Sequence, residues 1–510
     1  MGNTKPELRA GGPESSIKIG KKAFLLSVII ILVLMILSGA LTRILPAGTY
    51  DRVVSEGRTL VLNGSYREIP RPDYPAWRWF TAPAELLVGQ DNLTLIVLIV
   101  FLIAVGGSIA VLEYAGVMEA LINSLVARFA KHKYRLIVIM IFFFMSVSSF
   151  VGIYEGMVPM IIFIIPIAIS LGWDSLTGLG MSLLPLAFGF ASAVTNPFSI
   201  AVAQKIADLP IFSGSLLRIV FFVTVFCLVS FFVVRHAKKV EADPRFSLCF
   251  KEDEVLRQKL SSQKPSAQKL SAREAPGPEE QAAGEKRIRG GFRKALIWFV
   301  SCIVLAMILV ISTARLPGLS NLAFPLMTVL FLAGGIGGGR FAGLGGRELG
   351  SSFGRGALNI LPGVLLVLLA YSVKHIITTG QIMDTILYGA AELIRQSPAL
   401  AAAFLVYATT LVMNFFIGSA SAKAFLMMPL LTPLADLVGI TRQTAVLAFD
   451  FGDGFSNMVF PTNPLLLIAL SFSVVGYTKW MRWTWKLQGA ILLVTSAFLV
   501  FAVKTGFGPF

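Results

Sequence analysis

Charge and cysteine are what this 510-residue chain has least of. Only 14% of its residues are charged and 55% are hydrophobic, whereas ordinary soluble domains carry about 25% charge. A soluble globular protein is excluded, and most of the chain belongs in lipid. The three cysteines, Cys227, Cys249 and Cys302, form no spaced pair, so neither a disulfide framework nor a metal site is supported. There is no nucleophile, base and orienter set of the kind hydrolases need, which leaves an intramembrane enzyme the weakest reading. The glycine-rich stretch 334–356 lacks the P-loop lysine pattern and a preceding strand, so it does not indicate nucleotide binding. Acidic residues are scarce, 28 against 44 lysines and arginines, for a net charge of +16. The basic residues fall in short loops beside apolar segments, as the positive-inside rule demands, and they do not mark a nucleic-acid partner.

What is present is a series of long apolar runs. Segments 23–40 and 296–312 are long enough, at 1.5 Å per residue, to cross roughly 30 Å of hydrocarbon. The first follows a polar, basic tail (1–21) and continues into TRILPAGTY without a small-residue cleavage site, which reads as a retained span. A mixed-charge loop, 46–91, carries Trp77 and Trp79, residues that favour a membrane interface. Residues 235–293 are charged, rich in Ser, Gln and Pro and poor in large apolar side chains, and read as a disordered linker between a first half (22–234) and a second half (294–510).

The two halves share a segment. Pro166 to Pro197 and Pro433 to Pro464 align without a gap, and 433 minus 166 and 462 minus 195 both give 267. Both copies end in Thr-Asn-Pro, which cannot continue an ordinary helix because proline lacks the amide donor and clashes with the preceding turn. Each copy is expected to form a broken helix, 176–208 and 441–475. A duplicated helix break at membrane depth is a mark of secondary transporters built from internal repeats.

Charge parity decides the threading. If 136–150 crossed the membrane, the linker, with Lys238, Lys239, Lys251, Lys264, Lys269, Arg287 and Arg293, would lie outside, against the charge bias. Re-entrant hairpins at 136–172 and 399–436 remove the conflict and place the N-terminus and the linker in the cytoplasm. The two halves then have opposite orientation, an inverted-topology pair.

The hairpin tips combine small residues, hydroxyls and one ionisable side chain each. The first holds Ser146, Ser148, Ser149, Gly152 and Glu155, the second Gly418, Ser419, Ser421 and Lys423. Irregular backbone at membrane depth needs other chain or water beside it, and hydroxyls with free amides suit an anion. Tight helix packing is the plainer explanation for any single serine; two symmetry-related clusters favour a substrate site. Thr195 with Asn196, and Thr462 with Asn463, add oxygens suited to Na+ or a substrate carboxylate. Asp450 and Asp453, with Asn457 in the same FDFGDGFSN run, sit in an apolar segment where charge is costly. They are candidates for a coupling ion or a substrate amine, or for a buried ion pair with Lys423 or Arg442. Glu155 and Lys423 are a further candidate pair.

The run KAFLMMPLLTPLADLVGITRQTAVLAFDFGDGFSNMVFPT, with LGWDSLTG, NPFSIAVAQKIADLPIFSG and ILPAGTYDR, resembles the YfcC-like family of membrane transporters, described as basic amino-acid antiporters or C4-dicarboxylate carriers. That family lies within the divalent-anion/sodium symporter and ion-transporter superfamily. The resemblance implies a scaffold domain and a transport domain of two hairpins and two unwound helices, assembled as a homodimer and working by an elevator movement. It places the site between the two tips and the two Thr-Asn breaks.

The expectation is an all-α polytopic protein of the inner (plasma) membrane that carries a small carboxylate-bearing metabolite, an amino acid or a C4-dicarboxylate, by ion coupling (Na+ or H+) or exchange. No cofactor is expected beyond Na+ as a candidate coupling ion. An ion channel of the same architecture is the alternative.

Overall fold

The computed structural model describes residues 21–55, 58–89, 92–118, 129–152, 154, 157, 160–262, 291–306, 308–309 and 323–508. Nine helices among these residues are long and apolar enough to cross a membrane. The protein is a multi-pass, all-helical membrane protein, as lipid requires of a chain whose backbone must bond within each segment. Helix Lys21–Ile44 turns Leu25, Ile29, Val33 and Leu37 outward and buries Ile31 and Met35. It packs on helix Gly346–Thr379, which also packs on Asn92–Tyr114. The glycine- and arginine-rich stretch expected as a loop is mostly helical. The chain turns at 342–345, and the Glu348 carboxylate accepts from the Gly345 amide at 2.9 Å to start the next helix.

The segment 46–91 is more ordered than expected. Two short antiparallel ladders, Gly48–Thr49 with Arg67–Glu68 and Arg52–Ser55 with Arg58–Val61, precede helix Arg78–Val88. Arg52 pairs with Asp384 at 2.8 Å and the Tyr66 ring stacks on Tyr388 at 4.1 Å, so the ladders are tied to helix Met383–Arg395. Trp77 is exposed as expected, but Trp79 lies on helix Lys21–Ile44: a Cβ at Gly39 would stand 2.2 Å from its indole.

Two stretches follow the same order at the 267-residue offset. The first hairpin comprises Lys133–Ser146, continued by a π-helical turn at Val147–Val151 that ends at Gly152, and helix Ile161–Ser170. After Gly172, at φ +91°, come Ser175–Gly180, Leu183–Ser192, a break, and Ile200–Ile206. The second hairpin comprises Ala399–Phe416 and Ala420–Val438. After Gly439, at φ +74°, come Arg442–Phe455, a single turn at Ser456–Met458, a break, and Pro464–Ser471. All of Ser175–Ser192 is buried, as is 443–458, so the irregular backbone near each break is shielded from lipid. Helix Arg442–Phe455 crosses Leu183–Ser192 closely. A Cβ on Gly454 would meet Ala191 Cα at 2.2 Å, so only glycine permits this approach.

The segment expected as a linker from 235 is ordered over 235–262. Helix Ser215–Ala242 runs into it, and Phe250–Ser262 forms a further helix. The Asp253 carboxylate, fully buried, accepts from the Ser175 amide at 3.1 Å and the Ser175 hydroxyl at 2.5 Å. Arg257 donates to the Trp173 carbonyl at 2.7 Å and Lys479 pairs with Glu252 at 2.5 Å. Asp174 caps helix Ser175–Gly180, accepting from Thr177, from the Ser247 hydroxyl at 2.7 Å and from His236 Nε2 at 2.9 Å. Trp483 donates to His236 Nδ1 at 3.0 Å, which leaves the imidazole proton on Nε2, facing Asp174. Averaged composition concealed this helix, because two acids seated at a helix N-terminus do what a core of large apolar residues would otherwise do. Residues 263–290 lie outside the described residues.

Burial pushes the Asp253 carboxyl up to about 7, with Asp174 adding to the rise and Ser175 and Arg257 opposing it. A carboxyl raised in the folded state above its ordinary 3.8 contributes stability that is fully present below the ordinary value and is lost as pH rises through 7. Helix Phe250–Ser262 is therefore expected to detach more readily at pH 8 than at pH 6. Hydrogen–deuterium exchange, corrected for intrinsic rate, checks this: protection of 250–262 should fall between those values in the native chain and stay level in Asp253→Asn.

Candidate functional site

The two Thr-Asn-Pro breaks are built alike. Thr195 Oγ1 donates to the Phe150 carbonyl at 2.9 Å, and Thr462 Oγ1 donates to the Phe415 carbonyl at 2.7 Å. Each threonine thus ties its break to the tip of its own hairpin. Asn196 Oδ1 accepts from the amides of Phe198 (2.8 Å) and Ser199 (3.2 Å), and Asn463 Oδ1 accepts from Leu465 (3.0 Å) and Leu466 (3.3 Å). At the second break Pro464 is the first helical residue, where it loses no bond, and Asn463 before it caps the helix; at the first, Asn196 closes a turn over Pro197–Ser199 and the helix resumes at Ile200. The triplet is therefore a helix restart, with the asparagine oxygen committed to it.

The first tip closes onto the first break. Ser149 Oγ accepts from the Val194 amide at 3.1 Å, and its carbonyl accepts from the Thr195 amide at 3.2 Å. Gly152 adopts φ +75°, and a Cβ there would stand 2.2 Å from Asn196 Oδ1. The second tip reaches the same place: Ser421 Oγ donates to the Phe198 carbonyl at 3.0 Å. Two residues further on, Lys423 is fully buried, donating to Asn414 Oδ1 and pairing with Asp453. Asn414 Nδ2 donates to Asn457 Oδ1 at 3.0 Å, which also receives Asn463 Nδ2 at 2.7 Å. One polar chain thus runs from the second tip to the second break.

Around the first tip several buried polar atoms have no hydrogen-bond partner: the hydroxyls of Ser146, Ser148 and Ser199, Asn196 Nδ2 and both Asp450 carboxylate oxygens. Such atoms cost about 1–3 kcal/mol each when unmet, so a cluster of them at one place calls for a polar species to meet them.

The predicted residues are thus sorted by the fold. Ser149, Gly152, Thr195 and Asn196 meet at the first break, and Ser421 joins them; Ser146 and Ser148 lie on the same hairpin with buried hydroxyls. Thr462, Asn463, Asn457, Asp453 and Lys423 belong to the second network. Gly418 and Ser419 are exposed, and Ser419 caps helix Ala420–Val438. Glu155 lies outside the described residues. The proposed Glu155–Lys423 pairing is replaced by Lys423–Asp453, and Arg442 pairs with Asp436 at 2.8 Å. No group of three metal-ligating side chains occurs among the described residues.

Sequence reasoning missed Arg218, an arginine inside the apolar run LLRIVFFV. It is buried at 1% exposure and donates to four carbonyls, those of Ala193 (3.1 Å), Val194 (3.2 Å), Phe212 (3.3 Å) and Ser213 (2.8 Å). These include carbonyls freed where helix Leu183–Ser192 ends. Asn414, which holds Lys423, was missed too. A charge within a span was the available signal for the first, and none existed for the second.

The family model for the C4-dicarboxylate anaerobic carrier matches residues 24–504. The chain belongs to this carrier family. Among relatives of the carrier, "Putative basic amino acid antiporter YfcC" of Escherichia coli K12 is 28% identical over 94% of this chain and 96% of its own length. A Haemophilus influenzae protein of uncharacterised function is 26% identical over 79% of this chain and 75% of its own length. Of solved structures, the Alcanivorax borkumensis YdaH transporter is 18% identical over 96% of this chain and 100% of that one, with a TM-score of 0.38. Neisseria gonorrhoeae MtrF is 16% identical over 94% and 95%, also at a TM-score of 0.38.

Proposed function

We propose that this carrier is a secondary active transporter of a small carboxylate-bearing metabolite, a C4-dicarboxylate or an amino acid, bound between the two tips and the first break. The observation that carries this is the pair of buried, unpartnered donors Asn196 Nδ2 and Ser199 Oγ at the first break, with further buried hydroxyls at Ser146 and Ser148 on the hairpin that closes onto it, which fits a carboxylate that supplies acceptors. The name of the family and that of YfcC supply the two substrate classes.

The two halves act as inverted repeats with re-entrant hairpins in the inner membrane, the N-terminus and the 263–290 segment being cytoplasmic. Supporting this, each tip bonds to a break in mid-segment, so tips and breaks share one depth. Inverted repeats serve alternating access, and the family resemblance implies an elevator movement in a homodimer.

Uptake of labelled succinate and arginine into proteoliposomes tests the function. Saturable, gradient-coupled flux of one of them is expected; large unsaturable currents would point to a channel. Asn196→Asp keeps the oxygen that caps Phe198 and Ser199 but replaces the free donor with an acceptor. It should weaken carboxylate uptake by roughly tenfold or more, one hydrogen bond to a charge being worth about that much, with thermal stability nearly unchanged. An unaltered KM would remove Asn196 from the site.

A further inference from the structure

Among the described residues, Asp450 is a buried charge with neither an ion pair nor a full hydrogen bond. It sits at 1% exposure in helix Arg442–Phe455, and neither carboxylate oxygen has a hydrogen-bond partner. The charged groups that act on it are Arg218, from helix Ser215–Ala242, and Asp453, one turn along its own helix. The Ser199 hydroxyl is close enough to act on the carboxylate as a donor, without reaching the geometry of a full hydrogen bond. Asp453 is already paired with Lys423, so its charge is met. The donors of Arg218 are directed to four carbonyls, so it offers Asp450 a field but no hydrogen bond.

Three species could neutralise such a carboxylate. Na+ needs a shell of several oxygens, yet the Ala193 and Val194 carbonyls are occupied by Arg218, and a guanidinium in range repels any cation. The same repulsion disfavours a substrate amine. A proton needs no shell, and although the same guanidinium opposes it, the neutral acid has little to lose in a dry site. We propose that Asp450 is the proton-carrying site that couples transport, and that it makes the carrier take up an anionic substrate together with a proton.

Charge balance gives the coupling its sign. With every group ionised, Arg218 and Lys423 offset Asp450 and Asp453, and this buried set is neutral. A proton on Asp450 leaves a net +1, which offsets one carboxylate of an entering anion. Anion and proton then stabilise each other in the site, which is positive linkage. The inference rests on the transporter reading above and narrows it to anions.

Calorimetry of succinate binding to the full-length protein at pH 7, in two buffers of different ionisation enthalpy, counts the protons taken up. About one proton per succinate is expected for the native chain and for Asp450→Glu, and close to none for Asp450→Asn. Succinate affinity of the native chain should weaken about tenfold per pH unit above neutrality, whereas that of Asp450→Asn should stay level. Succinate binding without proton uptake, a strict requirement for Na+, or an intact proton count in Asp450→Asn would overturn the assignment while leaving the transporter reading in place. Tighter binding of arginine than of succinate would overturn the anion preference. If neither compound binds and neither is transported, the transporter site falls and the proton assignment falls with it.

Discussion

Lys423→Met is expected to lower stability by about 3–5 kcal/mol, because it leaves Asp453 as an uncompensated buried charge. Lys423 and Asp453 are 0% exposed, and the same lysine holds Asn414, which joins Asn457 and through it the second break. Loss of the ammonium therefore undoes a network as well as a pair. The double variant Lys423→Met, Asp453→Asn should recover most of the loss, since removing both partners of a buried pair is often close to neutral. Thermal unfolding in detergent gives the comparison. Equal destabilisation in the single and double variants would mean that packing, and not the charge pair, governs this site.

Arg218→Met should cost about 3 kcal/mol or more, each buried acceptor left unmet costing about 1–3 kcal/mol. Ser213 O keeps Gln204 and Gln443 as donors, at 2.9 and 3.0 Å, so Ala193, Val194 and Phe212 carry the loss. Arg218→Lys cannot span four carbonyls from one ammonium and should recover only part of it. Because Arg218 also faces Asp450, Asp450→Asn should be less harmful in the Arg218→Met background than alone. A double-mutant cycle on unfolding free energies reads that coupling, and a value near zero would show that the two groups do not sense each other.

The legible part of the fold was local. Thr195-Asn196-Pro197 and Thr462-Asn463-Pro464 were found as breaks because a proline without an amide and an asparagine that caps act within three residues of themselves. The helix at Phe250–Ser262 was missed because its stability comes from Ser175, Trp173 and Lys479, all distant in sequence. Residues 478–486 are part of one helix, Tyr477–Thr505, with Trp480 and Trp483 buried.

By itself the sequence determined that the chain lives in lipid, that two segments align at one offset, and that each is interrupted at Thr-Asn-Pro. Composition and backbone chemistry suffice for these, since they depend on what each residue is and on its near neighbours. Only the tertiary structure decided which charges meet. Lys423 could have faced Glu155, Asp450 or Asp453, and the packing of helix Ala420–Val438 against Arg442–Phe455 gave it Asp453. Asp450 was left with Arg218 and no hydrogen bond. Pairing across tens of residues depends on distances of a few ångströms in a low-dielectric interior, and no spacing along the chain encodes those.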